Sequence, residues 1–149
     1  MRITKWGEYG ILCCLYLARK GLDACVGASE IAEHELIPLQ YTQQILQRLR
    51  KGGVIASVRG PGGGYRIART PEKISVKQIL DAAEGFTFQV MCEVRSGDCQ
   101  NFPDCPLRLI WCELRQNIDK LLTEKTLATL LLSESEIKSS ASKKLATTV

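Results

Sequence analysis

Four glycines and a proline fill residues 60–64 (Gly60-Pro61-Gly62-Gly63-Gly64), and no helix can run through them. Glycine loses the most backbone freedom on entering a helix, and proline has no amide hydrogen to give it. The short runs on either side, Val54 to Val58 and Tyr65 to Ile67, carry β-branched and aromatic residues, so the chain reverses here as a hairpin. A nucleotide phosphate loop is the competing reading of a glycine-rich stretch. That loop needs Gly-Lys-Ser/Thr opening a helix, whereas Gly64 is followed by Tyr65, and no acidic ribose partner or βαβ pattern accompanies it. The flanking Arg59 and Arg66 point to another use, a thin loop entering a groove and reaching phosphate or the minor groove. A plain tight turn is the bland alternative.

The elements around the hairpin follow from local signals. Trp6, Tyr9, Cys13 and Tyr16 recur at helical spacing, as do Ile11, Leu12 and Leu15. Tyr9 to Ala18 imitates the core of a signal peptide, but Glu8 and Arg19-Lys20 border it and no cleavage pattern follows. It reads as the first helix of a cytosolic domain. Ser29 caps a short helix through Ile31, Ala32 and Glu33, which Ile37-Pro38 interrupts. A further helix runs from about Leu39 to Lys51 and stops at Gly52-Gly53. After the hairpin, Ser75 and Gln78 form a capping box for a helix that reaches Glu84 before Gly85. Three helices and then a basic hairpin is the order of a winged helix-turn-helix, so the expected class is mainly α with a small β-hairpin wing.

The helix over 39–51 carries the functional pattern. Tyr41, Ile45, Leu46 and Leu49 fall on one side, while Gln40, Gln43, Gln44 and Gln47 line the other at i, i+3, i+4 and i+7. Glutamine pairs bidentately with adenine in the major groove, and lysine reaches phosphate. Ordinary solvent faces mix Glu with Lys, yet no acidic residue occurs over 36–71. The positive charge is local as well. Residues 48–73 hold Arg48, Arg50, Lys51, Arg59, Arg66, Arg69 and Lys73 against Glu72 alone, in a chain whose net charge is +4. A basic patch of this kind is the footprint of a nucleic-acid binder. The candidate DNA contacts are Gln40, Tyr41, Gln43, Gln44, Gln47, Arg50, Lys51, Arg59, Gly60, Pro61, Gly62 and Arg66.

Seven cysteines is an odd number, and with no signal peptide expected they argue for a reducing cytosol rather than a disulfide framework. Cys92, Cys99 and Cys105 cluster in a stretch with Gly97, Asn101, Pro103 and Pro106, with six and five residues between successive cysteines. The spacing is not the paired CxxC of structural zinc, which takes four ligands. Three thiolates suit an iron–sulfur cluster with one further ligand. One histidine and no general-base constellation leave little chemistry for an enzyme.

Beyond Pro106, a favoured first helical residue, Leu107, Trp111, Leu114, Ile118 and Leu121 step by fours and threes along one helix face. The stripe suits helix-on-helix dimerisation, with an intramolecular core helix as the alternative. Thr126 caps one last turn through Leu132, and residues 133–149, rich in Ser, Lys, Ala and Thr, read as a disordered tail. The expected organisation is a DNA-binding domain over 1–85, a cysteine loop over 86–105, a dimerisation helix and closing turn over 106–132, and the tail. At 45% hydrophobic and 24% charged residues the composition is that of a soluble globular chain, without an apolar run long enough to span a membrane.

The opening Met-Arg-Ile-Thr with Gly7-x-Tyr9, the run Leu46-x-x-Leu49-Arg50-Lys51-Gly52-Gly53, and above all Ser57-Val58-Arg59-Gly60-Pro61-Gly62-Gly63-Gly64-Tyr65 resemble the bacterial Rrf-two family of winged-helix regulators. The resemblance spans about residues 1–132. It implies a cytoplasmic homodimeric repressor on roughly palindromic double-stranded operators. It also implies an iron–sulfur cluster, 2Fe-2S or 4Fe-4S, held on Cys92, Cys99 and Cys105. The family usually has five residues between the first two cysteines, and six stand here. Members that control cluster biogenesis take a histidine just after the third cysteine, where this chain has Leu107 and Arg108. In members that sense nitric oxide, an N-terminal acidic residue of the partner subunit is the fourth ligand, and Glu8 matches that place. Cys112 is the thiol alternative, although its helical position reads more simply as interface packing, and His34, the only histidine, reads as a surface residue. A thiol-only redox switch and an iron–sulfur carrier are the rival functions for the same cysteines.

Overall fold

A computed structural model of the chain describes residues 3–85 and 105–146. Cys92 and Cys99 lie outside the described residues. Helix α1 (Lys5–Lys20) starts one turn before Tyr9, because the hydroxyl of Thr4 accepts from the amide of Trp6 and caps it. Helix α2 (Ala28–Glu35) begins after Gly27, with no side-chain cap. Ser29 is therefore inside the helix rather than its cap. The Gly27 carbonyl already accepts from the Ile31 amide at 3.3 Å, so the helix begins upstream of the residue that local propensity favours.

The turn out of α2 is made by Leu36, in the left-handed conformation at φ 55°, with Ile37 buried beneath it. Pro38 then leads into helix α3 (Leu39–Lys51). Its buried side chains are Thr42, Ile45, Leu46 and Leu49. Thr42 takes the inward place that the sequence pattern gives to Tyr41. It does so without leaving an unsatisfied group, because its hydroxyl donates to the Pro38 carbonyl at 3.3 Å.

Strands β1 (Ile55–Val58) and β2 (Gly64–Ile67) pair antiparallel, from Ile55 opposite Ile67 to Val58 opposite Gly64. Between them the Gly63 amide bonds the Gly60 carbonyl at 2.9 Å, closing a four-residue turn. Pro61 supplies its first corner and Gly62, at φ 72°, its second; a side chain at that second corner would be strained. Val26 adds a bridge to the outer edge through reciprocal bonds with Tyr65 of 2.9 and 2.8 Å. The wing thus has a stiff base and a glycine tip.

Helix α4 (Val76–Glu84) carries the expected Ser75–Gln78 capping box. It crosses α1 closely, since a Cβ on Gly10 would stand 2.7 Å from that of Ala83. Helices α5 (Pro106–Glu124) and α6 (Leu127–Ala146) follow. Their junction is clipped to the start of α4 by Val76 N–H to Lys125 carbonyl and Leu127 N–H to Ile74 carbonyl, both 2.8 Å. Leu127 is fully buried in one core with Leu17, Ile31, Ile45, Leu46 and Ile79.

The C-terminal expectation of a last turn ending at Leu132 and a disordered tail is corrected, for α6 continues to Ala146. Residues 133–146 are polar, but Glu, Lys and Ala are good helix formers and neither glycine nor proline interrupts them. Glu134 also ties the helix to α1 through Arg19 at 2.9 Å. Among the described residues, no helix is long and apolar enough to cross a membrane.

Candidate nucleic-acid interface

Because Ile45, Leu46 and Leu49 bury the inner face of α3, its outer face is presented to solvent. Gln40, Gln43, Gln44 and Gln47 are all exposed, as are Arg50 and Lys51 at the C-terminal end. Each glutamine keeps a donor and an acceptor in one amide, which is what reading adenine edges requires. Tyr41 stands at the rim, half exposed, with its ring centroid 5.4 Å from that of Trp6. On the wing, Arg59, Gly60, Pro61 and Gly62 are exposed. Arg66 is half-buried and donates to the Leu22 carbonyl at 3.3 Å, so it belongs to the wing's base as well as to its charge.

Not every cation of the basic stretch faces outward alone. The guanidinium of Arg48 lies 4.3 Å from the centre of the Trp6 ring and donates to the Ala83 carbonyl at 2.9 Å. Arg69 bonds the Gly53 carbonyl at 3.4 Å. The Trp6–Arg48–Ala83 contact was not legible in the sequence, since its members come from three helices and share no periodicity.

Cys105 is half-buried and occupies the residue immediately before α5, with no side-chain cap of its own. Pro106 has no amide hydrogen, and the Arg108 amide donates to the Cys105 carbonyl at 3.1 Å. The thiol of Cys105 is the kind of donor an iron–sulfur cluster takes. Glu8 lies on the exposed side of α1, ion-paired with Lys5 at 2.8 Å; the pair raises the Lys5 ammonium above its ordinary range. Among the described residues, no group of three or more His, Cys, Asp or Glu side chains is placed to hold a metal ion within one chain. His34 is exposed beside Glu35, its ring 4.5 Å from that of Tyr16.

The other thiols divide by burial. Cys13 and Cys14 are fully buried; burial pushes the Cys13 thiol up to about 12 and holds that of Cys14 well above its ordinary value. They are core residues and poor nucleophiles. Cys25 and Cys112 are half-buried.

Helix α5 buries none of its residues completely. Leu107, Trp111, Leu114 and Leu121 of the stripe are exposed by 53, 36, 40 and 55%, and Ile118 is half-buried. Contiguous exposed apolar side chains of this kind are typical of contact surfaces.

A helix pair presenting four amides, followed by a basic two-stranded wing, defines a winged helix-turn-helix protein of the DNA-binding class. The family model described as "Rrf2: Iron-dependent Transcriptional regulator" matches residues 3–133, and the chain belongs to that family. The HTH-type transcriptional regulator IscR of Yersinia enterocolitica is 35% identical over 131 residues, 88% of this chain and 79% of that protein. IscR of Erwinia tasmaniensis is 34% identical over the same shares. Among solved structures, T. potens IscR superposes with a TM-score of 0.72 at 28% identity, covering 92% of this chain and 90% of that one. The oxidised form of Staphylococcus aureus CymR superposes with a TM-score of 0.67 at 30% identity, covering 88% and 96%. The relatives are named as transcriptional regulators, and this chain is a non-enzymatic DNA-binding regulator of the same family.

Proposed function

We propose that this protein is a cytoplasmic homodimeric repressor whose affinity for a roughly palindromic operator is set by an iron–sulfur cluster. The exposed glutamine face of α3 beside a basic wing carries the DNA-binding part of this reading. The family's description as iron-dependent and the IscR relatives support the cluster. Cys92, Cys99 and Cys105 would hold it, with the partner subunit's Glu8 as the fourth ligand. When bound, the cluster supplies iron open to attack by nitric oxide, oxygen or a similar signal. A carboxylate is the harder and weaker ligand among these donors, so the Glu8 corner would be the labile one. The exposed row on α5 would meet its copy in the dimer. Arg59, Arg50 and Lys51 supply affinity that is blind to sequence, and the glutamines supply base readout.

Gln44→Ala is expected to weaken binding to the operator by about 1–3 kcal/mol while leaving random duplex nearly unchanged. Arg59→Ala should weaken both and lower the log–log salt slope by roughly one. Filter-binding titrations at several salt concentrations separate the two. An equal loss on both duplexes for Gln44→Ala removes the base-reading claim.

The cluster is tested by anaerobic purification, an absorption spectrum, iron and sulfide counts, and DNA titration before and after cluster loss. Cys105→Ala should abolish retention. Glu8→Ala should shorten the cluster's lifetime and weaken its effect on DNA affinity, and Glu8→Cys should lengthen the lifetime. Coupling between the two sites should lie at about 1–3 kcal/mol, roughly 5–150-fold in affinity. A second reading, a thiol-only switch, draws on the likeness to oxidised CymR and on the half-buried free cysteines Cys25 and Cys112. Protein free of iron and sulfide whose DNA binding still follows thiol oxidation would establish it instead. A carrier would use the same cysteines without specific DNA binding by the apo form.

A further inference from the structure

The last two residues of α4 touch both helices that could aim the reading head. Glu84 accepts from the Thr4 amide at 2.9 Å and from its hydroxyl, so it holds the start of α1. Its other carboxylate oxygen is buried beside Gly7 without a hydrogen-bond partner, where a Cβ on Gly7 would meet it at 2.5 Å. The neighbouring Ala83 carbonyl accepts from Arg48, in the last turn of α3. Trp6, two residues beyond Thr4, closes the circuit: the Arg48 guanidinium lies 4.3 Å from its ring centre, and the Tyr41 ring 5.4 Å from it. Three helix ends therefore meet through three charge-assisted bonds and one aromatic ring.

We propose that this junction of Thr4, Trp6, Arg48 and Ala83–Glu84 sets the pose of α3 on DNA, with Arg48, Trp6 and Glu84 as positioning residues. The proposal rests on the reading of α3 as the recognition helix. Arg48 belongs to the basic stretch by sequence, but its guanidinium is engaged by a carbonyl and an indole face. A helix that carries its amides to base edges must be held to within a fraction of an ångström, whereas phosphate attraction tolerates slack. Displacing the junction should therefore cost specificity before it costs affinity for random DNA.

The test uses the full-length chain and two probes: a duplex selected by the wild-type protein from a random pool, and a random-sequence duplex. Arg48→Lys retains the charge but not the planar fork and stack. It should lose about 3–30-fold on the selected duplex, with binding to random duplex and the salt slope unchanged. Glu84→Ala should behave the same way, and Glu84→Gln, which keeps an acceptor oxygen for Thr4, should recover most of the loss. Wild-type binding by Arg48→Lys, together with a salt slope lowered by about one in Arg48→Ala, would make Arg48 a phosphate contact and overturn the proposal. Equal losses on both duplexes with a lowered melting temperature would overturn it as well, leaving only a role in fold stability. Gln44→Ala is run alongside. If its loss is selective while Arg48→Lys is neutral, the junction fails alone; if its loss is unselective, the reading of α3 fails and takes the junction with it.

Discussion

Leu114→Asp and Ile118→Asp are each expected to give a folded monomer with operator affinity lowered by roughly 10²–10⁴-fold, the loss incurred when two half-site contacts are no longer linked. Leu114 is 40% exposed in the single chain and Ile118 half-buried, so neither supports the core and the fold should survive the change. In a dimer, by contrast, the carboxylate would enter an apolar seam with no partner, at a cost of several kcal/mol. Sedimentation equilibrium reads the assembly state, and titration of the operator reads the affinity. Intact dimers in both variants would mean that α5 lies outside the subunit interface.

Leu127→Ala is expected to cost about 2–5 kcal/mol of stability, the range for emptying a fully buried leucine site. For a chain of this size that corresponds to a melting temperature lower by roughly 4–20 °C, at about 2–4 °C per kcal/mol. Leu127 has no exposed surface, and its amide remains bonded to the Ile74 carbonyl in the variant, so the loss reports packing alone. Leu127→Met, which nearly conserves volume, should cost less than about 1.5 kcal/mol. Differential scanning calorimetry distinguishes these outcomes. A loss under about 1 kcal/mol for the alanine variant would show that α6 does not share the core.

The features that the sequence made readable are those with a local cause. The hairpin at Gly60–Gly64, the stop at Gly52, the Ser75–Gln78 box and the four-glutamine row depend on backbone conformation or helical period, and both are written in neighbouring residues. What escaped depends on distant partners. Thr42 rather than Tyr41 turns inward because a carbonyl one turn back satisfies its hydroxyl and Trp6 claims the tyrosine at the rim. The helix beyond Leu132 has no stripe to announce it; its start is fixed by Leu127 in the core, and Glu134 bonds an arginine 115 residues earlier. Of the candidate site, the exposed glutamines and the basic wing were legible as a pattern, whereas the hold on Arg48 could be found only in three dimensions.

Helix α1 has a mechanical consequence. Its N-terminal end is gripped at Thr4 and Trp6, and at its C-terminal end Arg19 is held by Glu35 of α2 and Glu134 of α6. Sixteen residues at 1.5 Å each make a rod of roughly 24 Å. A helix is stiff over that length, and no proline interrupts this one. Both grips act on one continuous helix, so a displacement at the Glu134 end would be carried toward the Trp6 end. With the close crossing at Gly10 between the two grips, α1 has the form of a lever whose short arm rests against α3.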